Sequence, residues 1–591
     1  MNIGEIMIGK RSAAGSLCLL LLFALQGGQA ACAVELDYAA PPAQASAVAI
    51  SCDQANTAVV DYFDLIRETG KHQPDLVEAL RRFPKGADIH NHLSGTMMPE
   101  EYIALGKADG DCYGPDRIAP SMYTIAAAGP SGACTDGFKP LVQADAADRQ
   151  KIVRSLSMYQ FDYPDTQAGH DQFFATFGRF GAISGSPCNT APMLARLLQQ
   201  AHKDTVSYVE TMLSFQSQAV NTLTNLLRQK YPDNASFEKG DNYAAMYDFL
   251  LSVGLKDAVA GAQNDITLFR NKTNALLRCG AAGRDPACGV SYAFLAAVNR
   301  NAARKDGSPD LAKIFTQTAF SMLLASTDSR VAGVNLLSGE DATVSMQSFA
   351  TQMQIFGYFH KILPSANIAL HAGELTPCFV GVGNPALKDH LAGSLQAGAK
   401  RIGHGVSFAF LSDTDKAEVA GLMRSKNALV EIMFTSNAQI LGVAGDNHPF
   451  RQYRSLGVPT AFATDDEGVS HADYTGEWVY GFKRYGLTLA DLKRLARESL
   501  QYSFISGDAL WLDLAAEKAV DQCAGLPLGS PDPPEPCRSY LDGNAKARAQ
   551  WDYEARLSGY LQANGKKLGK YLGGSDRDAV APGYLSLSGN R

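Results

Sequence analysis

The feature of this sequence that most restricts its fold is an alternation. Short apolar runs with β-like composition, each ending in a polar cluster, are separated by longer stretches with helical spacing. Such runs lie at 87–93, 205–212, 331–336, 367–371, 401–403, 428–434 and 460–463, and one more strand is expected between 150 and 190. Strands alternating with helices build a parallel sheet with helices outside it, and eight such units close a (β/α)8 TIM barrel. A chain of 591 residues is long for one domain, but barrels of this kind absorb insertions.

The expected organisation is an α/β barrel over 84–510, preceded by a linker and helical extension at 34–83 and followed at 511–591 by a Pro-rich loop and a helical tail. Gly- and Cys-rich stretches at 106–138 and 270–290 read as insertions, 523–537 as a loop, and 543–571 as an amphipathic helix outside the barrel. Residues 1–33 combine a basic start (Lys10, Arg11), an apolar run at 17–25 and small residues around Ala30, Ala31 and Ala33. This is the pattern of a secretory signal, so an exported protein, periplasmic or secreted, is expected. The apolar run is short for a bilayer span, and no later run reaches about 18 uninterrupted apolar residues. Gln29 stands where a lipoprotein signal carries an aliphatic residue, which argues against lipidation of Cys32. In an oxidising compartment disulfides are the default, and the cysteines pair locally: Cys112 with Cys134, Cys279 with Cys288, Cys523 with Cys537. Lys+Arg 53 against Asp+Glu 60, with no long basic block, excludes a nucleic-acid backbone as the expected partner.

The polar clusters fall at the C-terminal ends of the candidate strands, where barrel enzymes build their sites. In Asp88-Ile89-His90-Asn91-His92, residues i and i+2 share a face, so His90 and His92 can present two imidazoles to one metal ion; a structural pair is the bland alternative. His371-Ala372-Gly373-Glu374 adds a nitrogen ligand and a carboxyl group able to serve as a general acid once burial raises its pKa, or else a helix cap. In Arg401-Ile402-Gly403-His404-Gly405 the histidine is either accessible between glycines or a core residue. Thr464-Asp465-Asp466-Glu467 offers adjacent carboxylates that need a cation or proton between them, with a calcium loop or helix cap as alternatives. Ser338-Gly339-Glu340-Asp341 reads by itself as a turn.

Taken in order, PKGADIHNHLSG, YVETM, VAGVNLLSGE, LHAGE, RIGHG, TSN followed by HPF, and ATDD resemble the adenosine deaminase family of metal-dependent amidohydrolases over roughly 84–510. The resemblance implies one zinc ion per chain, bound by His90, His92, His371 and Asp465. It implies that Glu374 donates a proton to purine N1, that His404 orients the attacking water, and that Asp466 and the Gly339 amide meet N7 and N3. His92 then also borders the substrate. The H-x-E and P-C-x-x-C signature of the Cys-ligated deaminases is absent.

Two positions depart from the family pattern. Ser94 stands where many members carry an acidic residue that grips the ribose 5′-hydroxyl, and Glu467 stands where a proline often follows the two aspartates. The expected reaction is hydrolytic deamination of adenosine or 2′-deoxyadenosine. Adenine, AMP or a modified adenosine is the alternative substrate, and a purine-binding or signalling module with a residual site is the reading from another class. Oligomeric state is not legible.

Overall fold

The computed structural model describes residues 57–573 apart from 136 and 164. The expected secretory signal at 1–33 lies outside the described residues, as does most of the expected linker.

Eight parallel strands form the central sheet: β1 (Ala87–His92), β2 (Tyr208–Leu213), β3 (Ser291–Asn299), β4 (Val331–Leu337), β5 (Asn367–Ala372), β6 (Arg401–His404), β7 (Leu429–Ile432) and β8 (Thr460–Phe462), each hydrogen-bonded to the next in chain order. Closure of β8 onto β1 is made by one residue beyond β8. Asp465 N–H donates to His90 O at 3.0 Å, and His92 N–H donates to Asp465 O at 3.1 Å. The strands are buried on both faces, as in Ile89, Val209, Leu295, Val334 and Ile402, all at 0% exposure, which is why they read as apolar runs rather than as alternating ones.

Among the described residues between 150 and 190 the expected strand is not found. That region forms the helices Ala146–Ser155 and Thr166–Ser184, and the missing strand is β3, directly after the Cys279–Cys288 loop. Phe173, Phe177 and Phe180 favour a strand by composition, but they recur at helical spacing and stack as one stripe. The other candidate strands shift by a few residues. Thr205 takes a left-handed turn at φ 59 that ends the preceding helix, so β2 starts at Tyr208. Phe434, expected in a strand, begins the helix Phe434–Leu441.

The stretch at 106–138 contributes strands Cys112–Pro115 and Tyr123–Ala126 of a small antiparallel sheet completed by Lys139–Pro140, and is tied by Cys112–Cys134. The segment between β2 and β3 is larger than the expected insertion at 270–290: it carries four helices, Ser217–Lys230, Ala235–Glu238, Tyr243–Ser252 and Leu255–Leu276. Next to the start of β1, the helix Pro74–Arg82, which follows the helix Thr57–His72, meets the C-terminal helix Ala545–Gly569, where Phe83 packs edge-on against Tyr560 and Tyr560 OH donates to Ala79 O at 2.9 Å. A buried two-pronged pair, Arg497 to Glu554 at 2.7 and 3.0 Å, fastens that helix to the barrel. The third disulfide joins Cys523 to Cys537. Among the described residues no helix is long and apolar enough to cross a membrane.

Candidate metal and catalytic site

The strand ends converge on one buried polar cluster. His90 and His92 come from the end of β1, His371 from β5, His404 from β6, and Asp465 and Asp466 from the turn after β8. His92 Nε2 lies 3.2 Å from both His371 Nε2 and Asp465 Oδ1, and His90 Nε2 lies 3.5 Å from Asp465 Oδ1. Ligand-capable atoms of His90, His371, His404 and Asp465 all lie within 4.8 Å of one another, as do those of His92, Asp465 and Asp466. Three of the residues at these strand ends, Ser338, His404 and Asp465, are non-glycine positions in left-handed backbone (φ 87, 68 and 58). Such conformations persist where the surrounding structure over-determines them, and they gather at functional sites.

Outer partners fix two of the imidazoles. His90 Nδ1–H donates to Glu431 at 2.6 Å and His371 Nδ1–H donates to Asn335 Oδ1 at 2.7 Å, so both rings turn a bare Nε2 inward. Arg401, fully buried, forms ion pairs with Glu431 at 2.7 Å and with Glu210 at 2.6 Å. Gly403 is required beside this pair, since a Cβ there would stand 2.7 Å from the His90 ring.

His404 is oriented differently. The backbone N–H of Phe450 donates to His448 Nδ1 at 3.2 Å. Burial, helped by nearby His404, pushes the His448 pKa down to about 3, so that ring is neutral and carries its single proton on Nε2. His448 Nε2 lies 2.9 Å from one end of the Asn437 amide, and His404 Nδ1 lies 2.9 Å from the other. The amide as placed sets Oδ1 at His404 and Nδ2 at His448, where the NH2 would meet an N–H; turned over, it gives its oxygen to His448 and its NH2 to His404. His404 consequently holds its proton on Nε2, 3.7 Å from Glu374, as a hydrogen-bond donor rather than a metal ligand.

The electrostatics call for a cation among the remaining four. Burial alone would lower the His90 pKa, but Glu431 and Asp465 outweigh it and raise it to about 10. Asp465 is held well below its usual range in spite of burial, by the His90 and His92 imidazoles beside it. His371, buried among other imidazoles, falls well below its usual value. The fully buried Nε2 of His90 has no hydrogen-bond partner. An orphaned nitrogen facing a carboxylate, inside a set of three imidazoles and one carboxylate, fits a divalent metal ion with nitrogen and oxygen ligands.

Two carboxyl groups are pushed the other way, toward the protonated form. Burial first, then Asp465 and Glu340, raise Glu374 well above the usual range; burial and adjacent Asp465 do the same for Asp466. Glu340 positions Glu374 by accepting from the backbone N–H groups of Gly373 at 3.1 Å and Glu374 at 2.6 Å, and is itself held by His390 at 2.7 Å. Gly95 packs directly on Asp466: a Cβ there would fall 1.6 Å from its Oδ1. Gly339 follows β4, its carbonyl accepting from Asn301 at 2.8 Å. Ser94, whose carbonyl accepts from Tyr102 OH, borders with His92 a cavity of about 530 Å³.

The model of the adenosine deaminase family matches residues 274–511, a span that includes Gly339, His371, Glu374, His404, Asp465 and Asp466. Over this span the chain is similar to the adenosine deaminase family. It is 32% identical over 156 residues to the adenosine deaminase of Enterococcus faecalis, covering 25% of this chain and 42% of that protein. It is 26% identical over 218 residues to the human N6-methyl-AMP deaminase, covering 37% of this chain and 55% of that one. The chain thus spans about two fifths of the length of the adenosine deaminases it matches. Among solved structures, the N6-methyl-AMP deaminase of Arabidopsis thaliana superposes with a TM-score of 0.45 at 16% identity, over 72% of this chain and 94% of that one.

Within this family frame the supporting residues Glu210, Asn335, Glu431, Asn437 and His448 were missed from the sequence as functional positions. Their signal was present: Glu210 and Glu431 are charged residues in the middle of apolar strands, and both are at 0% exposure.

Proposed function

We propose that this protein is a zinc-dependent aminohydrolase that deaminates adenosine or 2′-deoxyadenosine to inosine or 2′-deoxyinosine with release of ammonia. The observation that carries this reading is the pairing of buried Glu374 with His404, 3.7 Å apart, at the edge of a three-imidazole, one-carboxylate cluster. A zinc ion held by His90, His92, His371 and Asp465 would supply, when bound, Lewis-acid activation of a water at neutral pH. Glu374 holds its proton through burial and hands it to N1 of the purine, so that the ring can accept an attacking oxygen at C6. His404, with its N–H at Nε2, donates to that oxygen and fixes its approach. Asp466, also protonated, donates to N7, and the Gly339 amide meets N3. Closure of the barrel through Asp465 draws a metal ligand and a substrate-binding residue from the same turn, which sets the spacing between metal and base.

A second reading, action on a nucleotide, draws support from the likeness to the human N6-methyl-AMP deaminase. Export to an oxidising compartment is part of the proposal; it is supported by the basic-apolar-small order of residues 1–33 and by three local disulfides.

The test is the ultraviolet absorbance change on adenosine, 2′-deoxyadenosine, adenine and AMP with zinc-loaded protein, beside a chelator-treated control. Conversion of the nucleosides that stops with chelator and returns with zinc is expected. Binding of nucleosides without turnover in zinc-replete protein would replace the enzyme reading with a binding one.

A further inference from the structure

The cavity beside His92 and Ser94 runs along the ends of β1 to β4 and is also bordered by Asp265 and Phe269 of the helix Leu255–Leu276, part of the long segment between β2 and β3. That helix brings Asp265 to the cavity wall. Among the described residues lining it, Asp265 is the sole carboxylate and none is Lys or Arg.

Local structure is arranged around this carboxylate. Gln216 Nε2 donates to Asp265 Oδ2 at 2.6 Å. Gln216 adopts a left-handed backbone at φ 48, unfavourable for a residue with a Cβ, in the turn that follows β2. Opposite it, one turn before Asp265, the helix carries Gly261, where a Cβ would stand 3.2 Å from the Gln216 amide. A glycine inside a helix and a glutamine in left-handed backbone are each locally unfavourable. Together they let the amide lie against the carboxylate. An ionised carboxylate offers about four acceptor sites, and Gln216 takes one.

We propose that Asp265 is a specificity residue: it accepts hydrogen bonds from the sugar hydroxyls of an uncharged purine nucleoside and disfavours the 5′-phosphorylated form by like-charge repulsion. The proposal rests on the deaminase reading, because the sugar extends into this cavity only when the purine sits at the metal cluster. The helices beginning at Thr190 and Ser217 also border the cavity, and their N-terminal amides attract anions. Asp265, bound to the residue that precedes Ser217, already sets a negative charge beside the second of them. Preference for a nucleotide is therefore the outcome that tests the idea.

The experiment measures kcat/KM on adenosine and AMP, and equilibrium binding of inosine, IMP and hypoxanthine, for the zinc-loaded full chain and for Asp265→Asn. Wild-type protein is expected to favour adenosine over AMP and inosine over IMP by at least about tenfold. Asp265→Asn should weaken inosine binding and raise KM for adenosine about ten- to a hundredfold, the scale of a hydrogen bond to a charged group. It should leave hypoxanthine affinity within about twofold and narrow the gap to AMP. Equal losses for inosine and hypoxanthine, unchanged inosine affinity, or a wild-type preference for AMP or IMP would each overturn the proposal and leave the deaminase reading standing. If no aminopurine turns over, the deaminase reading falls; selective loss of inosine binding would still uphold hydroxyl recognition by Asp265, and its absence would end that as well.

Discussion

Replacing Glu431 with glutamine tests whether the metal cluster depends on charge outside its ligands. Glu431 accepts from His90 Nδ1–H at 2.6 Å with one oxygen and pairs with Arg401 at 2.7 Å with the other, all three side chains at 0% exposure. A glutamine fills the same volume but has one acceptor and one NH2. Set with its oxygen toward His90, it turns N–H groups against Arg401; set the other way, it forces His90 onto the tautomer whose Nε2 is protonated and cannot bind metal. Arg401 keeps Glu210 at 2.6 Å, so the fold should survive and the loss should fall on the metal. Removing such an outer partner costs roughly ten- to a hundredfold in metal affinity, equivalent to about 1.4–2.7 kcal/mol. Competition between Glu431→Gln and a chromophoric chelator reads the zinc dissociation constant directly. Thermal melts at fixed free zinc give an independent value, because binding to the folded state stabilises it by RT ln(1 + [L]/Kd). Activity should recover when zinc is raised in proportion. An unchanged zinc dissociation constant in a folded variant would refute the role assigned to Glu431.

Three further outcomes follow from the same geometry. Glu374→Gln should lower kcat by about a hundred- to ten-thousandfold while zinc stoichiometry, read by elemental analysis, stays at one per chain. Gly95→Ala should lower kcat/KM by at least about a hundredfold with zinc retained, because a Cβ would overlap the Asp466 carboxyl at 1.6 Å; normal kinetics in that variant would remove Asp466 from the purine contacts. Asn437→Asp should move the His404 proton to Nδ1, where a carboxylate accepts it, and cut turnover by at least about tenfold; a rate equal to wild type would contradict the relay from Phe450 through His448.

Legibility from sequence followed the range of the interaction. His90 and His92 could be paired because a strand puts i and i+2 on one face whatever its neighbours are. Strands rich in β-branched or bulky apolar residues, such as β4 and β5, were placed within one residue at either end. β3 was overlooked because it directly follows the disulfide loop read as an insertion at 270–290. The eighth strand was instead expected between 150 and 190, where Phe173, Phe177 and Phe180 lie on one helix.

What the sequence determined by itself was the repeating strand-helix order, the chemical kinds of group at the strand ends, and the family those motifs resemble, since each depends on neighbours within a few residues. Only the tertiary structure decided which carboxyl groups hold a proton and which hold a charge. Desolvation and the charges within a few ångströms push Glu374 and Asp466 toward the protonated form and hold Glu431 and Asp465 toward the ionised one. It also decided that His404 donates rather than ligates, and that a carboxylate from residue 265 stands in the cavity beside residue 94. Those facts depend on groups such as Asn437 and His448, 11 residues apart in the chain, and His90 and Glu431, 341 apart, brought together by the closed barrel.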